Sequence, residues 1–272
     1  MGAVVAVTMV KDEVDIIGET VANMAAQVDL VIVADNGSTD GTVDVLYWLS
    51  ETLGNILVTH DPDPAYTQSE KMTGLAHLAA RTTPTEWVVP FDADEIWYTN
   101  TGTVGETLRN VGDLACVQAE LFDHVATGYD ADDPNPVTRM VWRRLTPLVF
   151  PKVACRYRHD LTIHQGNHGC DYGGIIPAAA PLLVVRHFPY RTVEQFIRKT
   201  RNGAAAYQAA GDRQPLSAGA HWRQWGQILD EQGEDAVAEV FRTWYWRADP
   251  TRPVMIHGER QPRLINDPAP RR

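Results

Sequence analysis

The chain has 272 residues, 44% of them hydrophobic, enough to bury a full core as one large domain or as one domain with an appended piece. Its formal charge of −11 argues against a protein that coats nucleic acid by neutralising phosphates. Cys116, Cys155 and Cys170 are odd in number and lack CxxC spacing, so they suggest neither a disulfide framework nor a zinc knuckle and fit a reducing cytoplasm.

Residues 2–10 are apolar but too short for a membrane span, carry no basic leader and run straight into Lys11, Asp12 and Glu13. They read as a first strand. Further short β-branched runs at 29–34, 56–59 and 86–90 alternate with amphipathic stretches at 14–26, 42–52 and 69–81. This is the pattern of a βαβ sheet, in which parallel strands joined by right-handed crossovers gather ligands at their carboxyl ends. Three polar clusters fall at those ends: Thr8 with Lys11, Asp12 and Glu13; Asp35 to Asp40; and Asp92-Ala93-Asp94-Glu95. After residue 101 the signal weakens. Strands are expected at 115–122, 138–142, 152–156 and 182–186, separated by loops rich in His, Asp, Gly and Pro. Helices are expected at 192–210 and 221–243, with Trp222, Trp225, Trp244 and Trp246 packing them onto the sheet, and the Pro- and Arg-rich tail from Asp249 reads as loosely ordered.

The sharpest chemical feature is the run Trp87 to Glu95, in which an apolar strand delivers two carboxylates one residue apart. Such a pair can hold a hard divalent cation that bridges phosphate oxygens. Taken alone, Asp-x-Asp is a weak pattern, and an acidic loop capping a following helix explains it equally well. In the second cluster, Ser38, Thr39 and Asp40 suit a helix cap, which leaves Asp35 for a ligand.

Together the clusters resemble the family-2 glycosyltransferases, in particular the branch with a "DADE" aromatic motif. The matching stretches are Val7-Thr8-Met9-Val10-Lys11-Asp12-Glu13, then Val33-Ala34-Asp35-Asn36-Gly37-Ser38-Thr39-Asp40-Gly41-Thr42, then Phe91-Asp92-Ala93-Asp94-Glu95-Ile96-Trp97. A later block, Gly166-Asn167-His168 with Arg186 to Arg191 and Lys199 to Gly203, is similar to that branch as well.

The resemblance implies an α/β protein of the GT-A kind, a Rossmann-like open twisted mixed sheet flanked by helices, here with a helical C-terminal extension. It implies a catalytic domain over 1–210, with a nucleotide-sugar-binding half at 1–100 and an acceptor side at 101–210, then an extension at 211–249 and a tail at 250–272. The expected donor is a nucleotide-diphosphate sugar, UDP-, GDP- or dTDP-linked, and the acceptor is left open among glycan, protein, small molecule and modified nucleic acid. Thr8, Glu13 and Asp35 would form the nucleotide pocket, with Lys71 at the base or diphosphate. Asp92 would face the ribose or donor sugar, and Asp94 would ligate Mn2+ or Mg2+. The family's usual Glu-Asp base pair is absent between residues 96 and 190. Asp123, Asp160 and His168 are the candidates for the base, and His187, then His168, for a metal-ligating imidazole. A dinucleotide-dependent oxidoreductase lacks its GxGxxG here. A haloacid-dehalogenase-like phosphatase, which uses the first Asp of Asp-x-Asp as nucleophile, and a non-catalytic nucleotide-sugar binder are the alternatives.

Overall fold

The computed structural model describes residues 2–215, 217–246, 249–252, 254–256, 259–261 and 263–268. They divide into two compact units. One comprises Met1–Pro62, Thr67–Leu121 and Leu148–His187; the other comprises Asp63–Tyr66, Phe122–Pro147 and Phe188–Arg272.

The first unit opens with β1 (Ala3–Val10), α1 (Ile17–Ala25), β2 (Leu30–Asp35), α2 (Thr42–Leu53), β3 (Ile56–His60), α3 (Gln68–Thr82) and β4 (Thr85–Pro90). β3, β2, β1 and β4 lie side by side and parallel. Successive residues of β1 face opposite ways, as the pleat requires. Val4 and Ala6 pack with Ile17, Val21 and Met24 of α1 and with Leu46 and Leu49 of α2, whereas Val5 and Val7 pack with Met72, Leu75, Ala76 and Ala79 of α3. Both faces of β1 are therefore covered, which explains its unbroken apolar run. Each fully buried Val, Leu, Ile or Met contributes roughly 1.5–3 kcal/mol.

The sheet continues through β5 (Glu95–Tyr98), β6 (Cys116–Asp123), β8 (Lys152–Arg156) and β11 (Ala179–His187) into one eight-stranded mixed sheet, ordered β3-β2-β1-β4-β8-β6-β11-β5. β8 runs antiparallel to β4 and β6, and β11 antiparallel to β5. A small hairpin of β9 (Leu161–Ile163) and β10 (Cys170–Tyr172) lies beside α3 in sequence-distant contact, with the Ile163 N–H donating to Thr73 Oγ1. The open mixed sheet flanked by helices is the architecture the sequence led us to expect. Between β5 and β6, α4 (Val104–Arg109) starts at a reciprocal cap: the Glu106 N–H donates to the Thr103 hydroxyl and the Thr103 N–H to the Glu106 carboxylate.

In the second unit, α5 (Pro136–Arg139), where a strand was expected, is a short helix. Asn135 accepts from the Val137 N–H and Pro136 takes the first helical position, local signals that override the apolar run after them. The strand forms later as β7 (Trp142–Arg144), paired with Leu264–Asn266 from the tail, so this part of the tail is ordered. Arg143 fixes it by donating from Nε to Asp267 at 2.9 Å. The other tail strands, Val254–Ile256 and Glu259–Gln261, pair with each other. α6 (Val193–Ala210) is capped by Thr192. The long helix expected at 221–243 is two helices, α7 (Ala220–Gln232) and α8 (Glu234–Phe241), because Gly233 at φ 83°, ψ −178° cannot continue a helix. Trp225 is buried between Phe196 and Trp244, with ring centroids 4.9 and 5.9 Å away, and so gathers α6 and α7. The Trp246 side chain lies outside the described residues. Among the described residues no helix is long and apolar enough to cross a membrane.

Candidate active site at the strand ends

All three polar clusters leave the carboxyl ends of β1, β2 and β4 in the first unit. The first two are stitched together. Asp12, held at φ 54°, accepts from the Thr39 N–H at 2.6 Å, while its own N–H donates to Ser38 Oγ. Lys11 Nζ donates to the carbonyls of Asn36 and Gly37. The Glu13 N–H donates to Thr42 Oγ1, and Asp40 accepts from Val14 N–H and Thr42 N–H. These bonds fix the β2–α2 loop against the β1–α1 loop. Thr8 sits fully buried within β1.

Asp35 is not left over from this network. Its carboxylate accepts from the Gly37 N–H at 3.0 Å and the Ser38 N–H at 3.2 Å, closing its own loop. A carboxylate offers about four lone-pair directions, so capacity for a ligand hydroxyl remains. Lys71 pairs with Asp61 at 2.6 Å, and Asp61 also accepts from the Asn36 amide at 2.9 Å. Asp61, at the end of β3, thus links Lys71 to the β2 loop, a connection that local sequence does not reveal.

No helix follows the Asp92–Glu95 run. It turns instead into β5, with the Glu95 N–H donating to the Asp92 carbonyl. Asp92 is held from three sides. Oδ1 accepts from Gln68 Nε2 at 2.8 Å and Asn167 Nδ2 at 2.9 Å, and Oδ2 accepts from Lys152 Nζ at 2.5 Å. Glu95, fully buried, accepts from the Trp97 indole N–H and the Asp92 N–H and lies 2.9 Å from Lys152 Nζ. Burial works against charge on Lys152, yet the carboxylates of Asp92 and Glu95 outweigh it and raise the lysine above its ordinary value. Lys152 is thus a permanent buried cation facing two carboxylates.

Asp94 points elsewhere. Because β11 lies antiparallel to β5 with His187 opposite Glu95, the His187 imidazole Nε2 comes to 3.5 Å from Asp94 Oδ1. One carboxylate and one imidazole side by side suit a divalent cation of borderline softness, Mn2+ better than Mg2+.

The loop Gln165–Asn167, a single 3₁₀ turn, brings the later residues in. Asn167 is buried and held at φ 58°, an uncommon conformation for a side-chain-bearing residue, with its amide on Asp92. The Gly166 N–H donates to Gln68 Oε1 and its carbonyl accepts from Lys152 Nζ. His168 Nδ1 lies 3.0 Å from the Pro151 carbonyl, which can only accept, so Nδ1 carries the proton and Nε2 keeps its lone pair. Burial first, then the Lys152 charge, push the His168 imidazole down to about 4, so it is neutral near pH 7.

Asp160 and Asp123 are held by other partners. Asp160 is gripped by Arg158 through two bonds, at 3.0 and 2.9 Å, just before β9, whereas the Asn167 loop follows the other end of that strand. Asp123 ends β6 in the second unit, buried, with the guanidinium of Arg144 at 4.0 Å. Sequence reasoning passed over Gln68 and Lys152 and gave Asn167 no role. Lys152 opens an apolar strand, which by itself signals nothing, and its partners are distant in sequence. The Gly166-Asn167-His168 block was visible only through the resemblance.

Residues 5–119 match the family model described as glycosyl transferase family 2. That stretch runs from β1 into β6 and contains all three polar clusters. No curated protein matches the chain. Among solved structures, a mannosyltransferase from Pyrobaculum calidifontis in complex with GDP-Man and Mn2+ is similar over 89% of this chain and 87% of its own, at 17% identity and a TM-score of 0.42. S. aureus TarS in complex with UDP is similar over 97% of this chain and 99% of its own, at 12% identity and a TM-score of 0.37.

Proposed function

We propose that the protein is a metal-dependent hexosyltransferase of the DADE-aromatic branch, moving a sugar from a UDP-, GDP- or dTDP-linked donor to an acceptor hydroxyl with inversion. The observation that carries the reading is the division of labour at the end of β4. Asp94 stands beside the His187 imidazole, while Asp92 is oriented by an amide on Gln68, an amide on Asn167 and the Lys152 ammonium.

In this reading Asp94 and His187 would hold Mn2+ or Mg2+, and the ion would stabilise charge growing on the departing nucleoside diphosphate. Asp92, fixed by three donors, directs its remaining lone pairs to hydroxyls of the donor sugar or ribose. Lys152 stays protonated and holds Asp92 and Glu95 in place, its charge opposing the burial that pushes the Glu95 carboxyl above its ordinary value. The loops carrying Thr8, Glu13 and Asp35 bind the nucleoside, with Lys71 at the base or diphosphate. His168, unprotonated at Nε2, is placed as a proton acceptor for the attacking hydroxyl, although burial and the Lys152 charge weaken it as a base; a single displacement then inverts the anomeric centre. A phosphatase reading would require Asp92 as an attacking nucleophile. Both of its oxygens are already engaged by cationic or amide donors, which lowers their nucleophilicity and disfavours that chemistry.

The test is donor hydrolysis, followed as nucleoside diphosphate release, against Mn2+ concentration for the parent, Asp94→Asn and His187→Ala. Both variants should demand far more metal than the parent. If His187→Ala saturates at the parent's concentration while Asp94→Asn is inactive, His187 is not a ligand. If the parent hydrolyses no UDP-, GDP- or dTDP-sugar, with or without acceptor, and no nucleoside diphosphate raises its unfolding temperature, the transferase reading falls.

A further inference from the structure

The three cysteines are scattered in the sequence, yet the fold gathers them. Cys116 on β6 and Cys155 on β8 are directly opposed partners in the antiparallel register, and Cys170 opens β10. All are free thiols, all are buried, and their sulfur atoms lie within 4.8 Å of one another. Three thiolates around one cation at a metal–sulfur distance of about 2.3 Å stand about 4 Å apart, so little movement separates this cluster from a ligand set.

The backbone holds it ready. The Tyr172 hydroxyl donates to the carbonyls of Ala115 and Arg156, at 2.9 and 2.7 Å. Those residues immediately precede Cys116 and follow Cys155, and Tyr172 itself is two residues beyond Cys170. One hydroxyl therefore ties together the three segments that present the thiols. The Arg156 N–H adds a bond to the Ala115 carbonyl at 2.8 Å.

We infer that Cys116, Cys155 and Cys170 form a three-thiolate site for one copper(I) ion. Among the described residues no fourth His, Cys, Asp or Glu joins the group. Val5, Val88, Val153, Leu161 and Ile163 belong to the same buried cluster, so the surroundings offer a water little to bond to. A structural zinc ion wants four ligands, whereas a soft ion content with three thiolates suits what is present. The thiols give up protons to solvent as the ion binds, so uptake strengthens as pH rises. Because Cys155 shares β8 with Lys152, the ion would brace the strand that carries the buried cation. The site is independent of the transfer chemistry proposed above.

To test this, reduced protein is unfolded in urea and refolded without oxygen beside one equivalent of copper(I) bound to bicinchoninate. Copper should leave the chelator one to one, thiolate-to-copper absorption should appear in the near ultraviolet, and the urea midpoint should rise. Cys155→Ser and Cys170→Ser, checked for fold by circular dichroism, should lose all three effects. Copper staying on bicinchoninate, copper uptake undiminished in both serine variants, or zinc(II) bound one to one in preference when both ions are offered would each overturn the assignment. Should neither variant fold, the parent decides: protection of all three thiols from Ellman's reagent by one equivalent of copper supports the site, and their continued reactivity refutes it.

Discussion

Replacing Lys152 by methionine keeps much of the side chain's volume and removes the charge between Asp92 and Glu95. Those carboxylates lie 2.5 and 2.9 Å from Nζ, and at an effective dielectric constant of about 20 each pair is worth roughly 6 kcal/mol of attraction. Removing the charge of lysine from water offsets much of that in the parent. The variant keeps two carboxylates facing each other, with Glu95 fully buried. Breaking a buried pair in this way costs about 3–5 kcal/mol, a large fraction of the 5–15 kcal/mol typical of a folded domain. Urea denaturation at pH 7 should therefore show a midpoint far below the parent's with a similar slope. Adding Glu95→Gln replaces a carboxyl that burial already pushes above its ordinary value while leaving an oxygen for the Trp97 indole, and should return most of the loss as a coupling energy between the two positions. If Lys152→Met unfolds within about 1 kcal/mol of the parent, or if Glu95→Gln restores nothing, the account of Lys152 as the charge that holds this loop is wrong.

A Cβ at Gly166, already at φ 74°, would lie 2.4 Å from the His168 ring. Gly166→Ala should thus cost about 1–3 kcal/mol in urea and raise the concentration of donor needed for half-maximal hydrolysis, because Asn167 loses its place on Asp92; an alanine variant with parental stability and donor dependence would contradict this. The Glu86 carboxyl is held below its ordinary value chiefly by the hydrogen bond from Arg156, helped by the Gly2 N–H. A depressed folded-state value means stability present above the unfolded carboxyl's pKa of 4.5 and lost as pH falls through the folded one. Glu86→Gln should therefore lower the urea midpoint at pH 7, with the gap to the parent closing as pH falls below 4.5; a gap that stays equal as the pH falls would exclude this linkage.

How far the sequence spoke can be judged from particular elements. β1, β2, β3 and β4 were legible because each is a short apolar run with a polar cluster after it, and α1, α2 and α3 because their buried residues recur at helical spacing. α5 was misjudged because a cap and a proline outrank two apolar residues, and the break at Gly233 was missed because apolar spacing continues on both sides of it. β5 was hidden by its own motif: Glu95-Ile96-Trp97 reads as the close of an acidic loop, and only pairing with β11 makes it a strand. Asp35 was expected to be free because a ligand role and a turn role look identical in one dimension; the two backbone N–H groups it accepts from become apparent only in three.

The candidate site divides along the same line. Everything the family model matches ends at residue 119, and that stretch supplies the carboxylates Asp35, Asp92, Asp94 and Glu95. The groups that decide their chemical state lie beyond it: Lys152 neutralises, Asn167 orients, His187 stands against Asp94, and His168 sits neutral beside them. An Asp-x-Asp pair at a strand end is a common pattern whose meaning depends on what faces each carboxylate. Here one oxygen pair is oriented by an ammonium and two amides, and the other stands beside an imidazole. That asymmetry assigns different work to two residues that the sequence presents as near equivalents, and apart from Gln68, 24 residues away, it arises from segments 60 and more residues away in the chain.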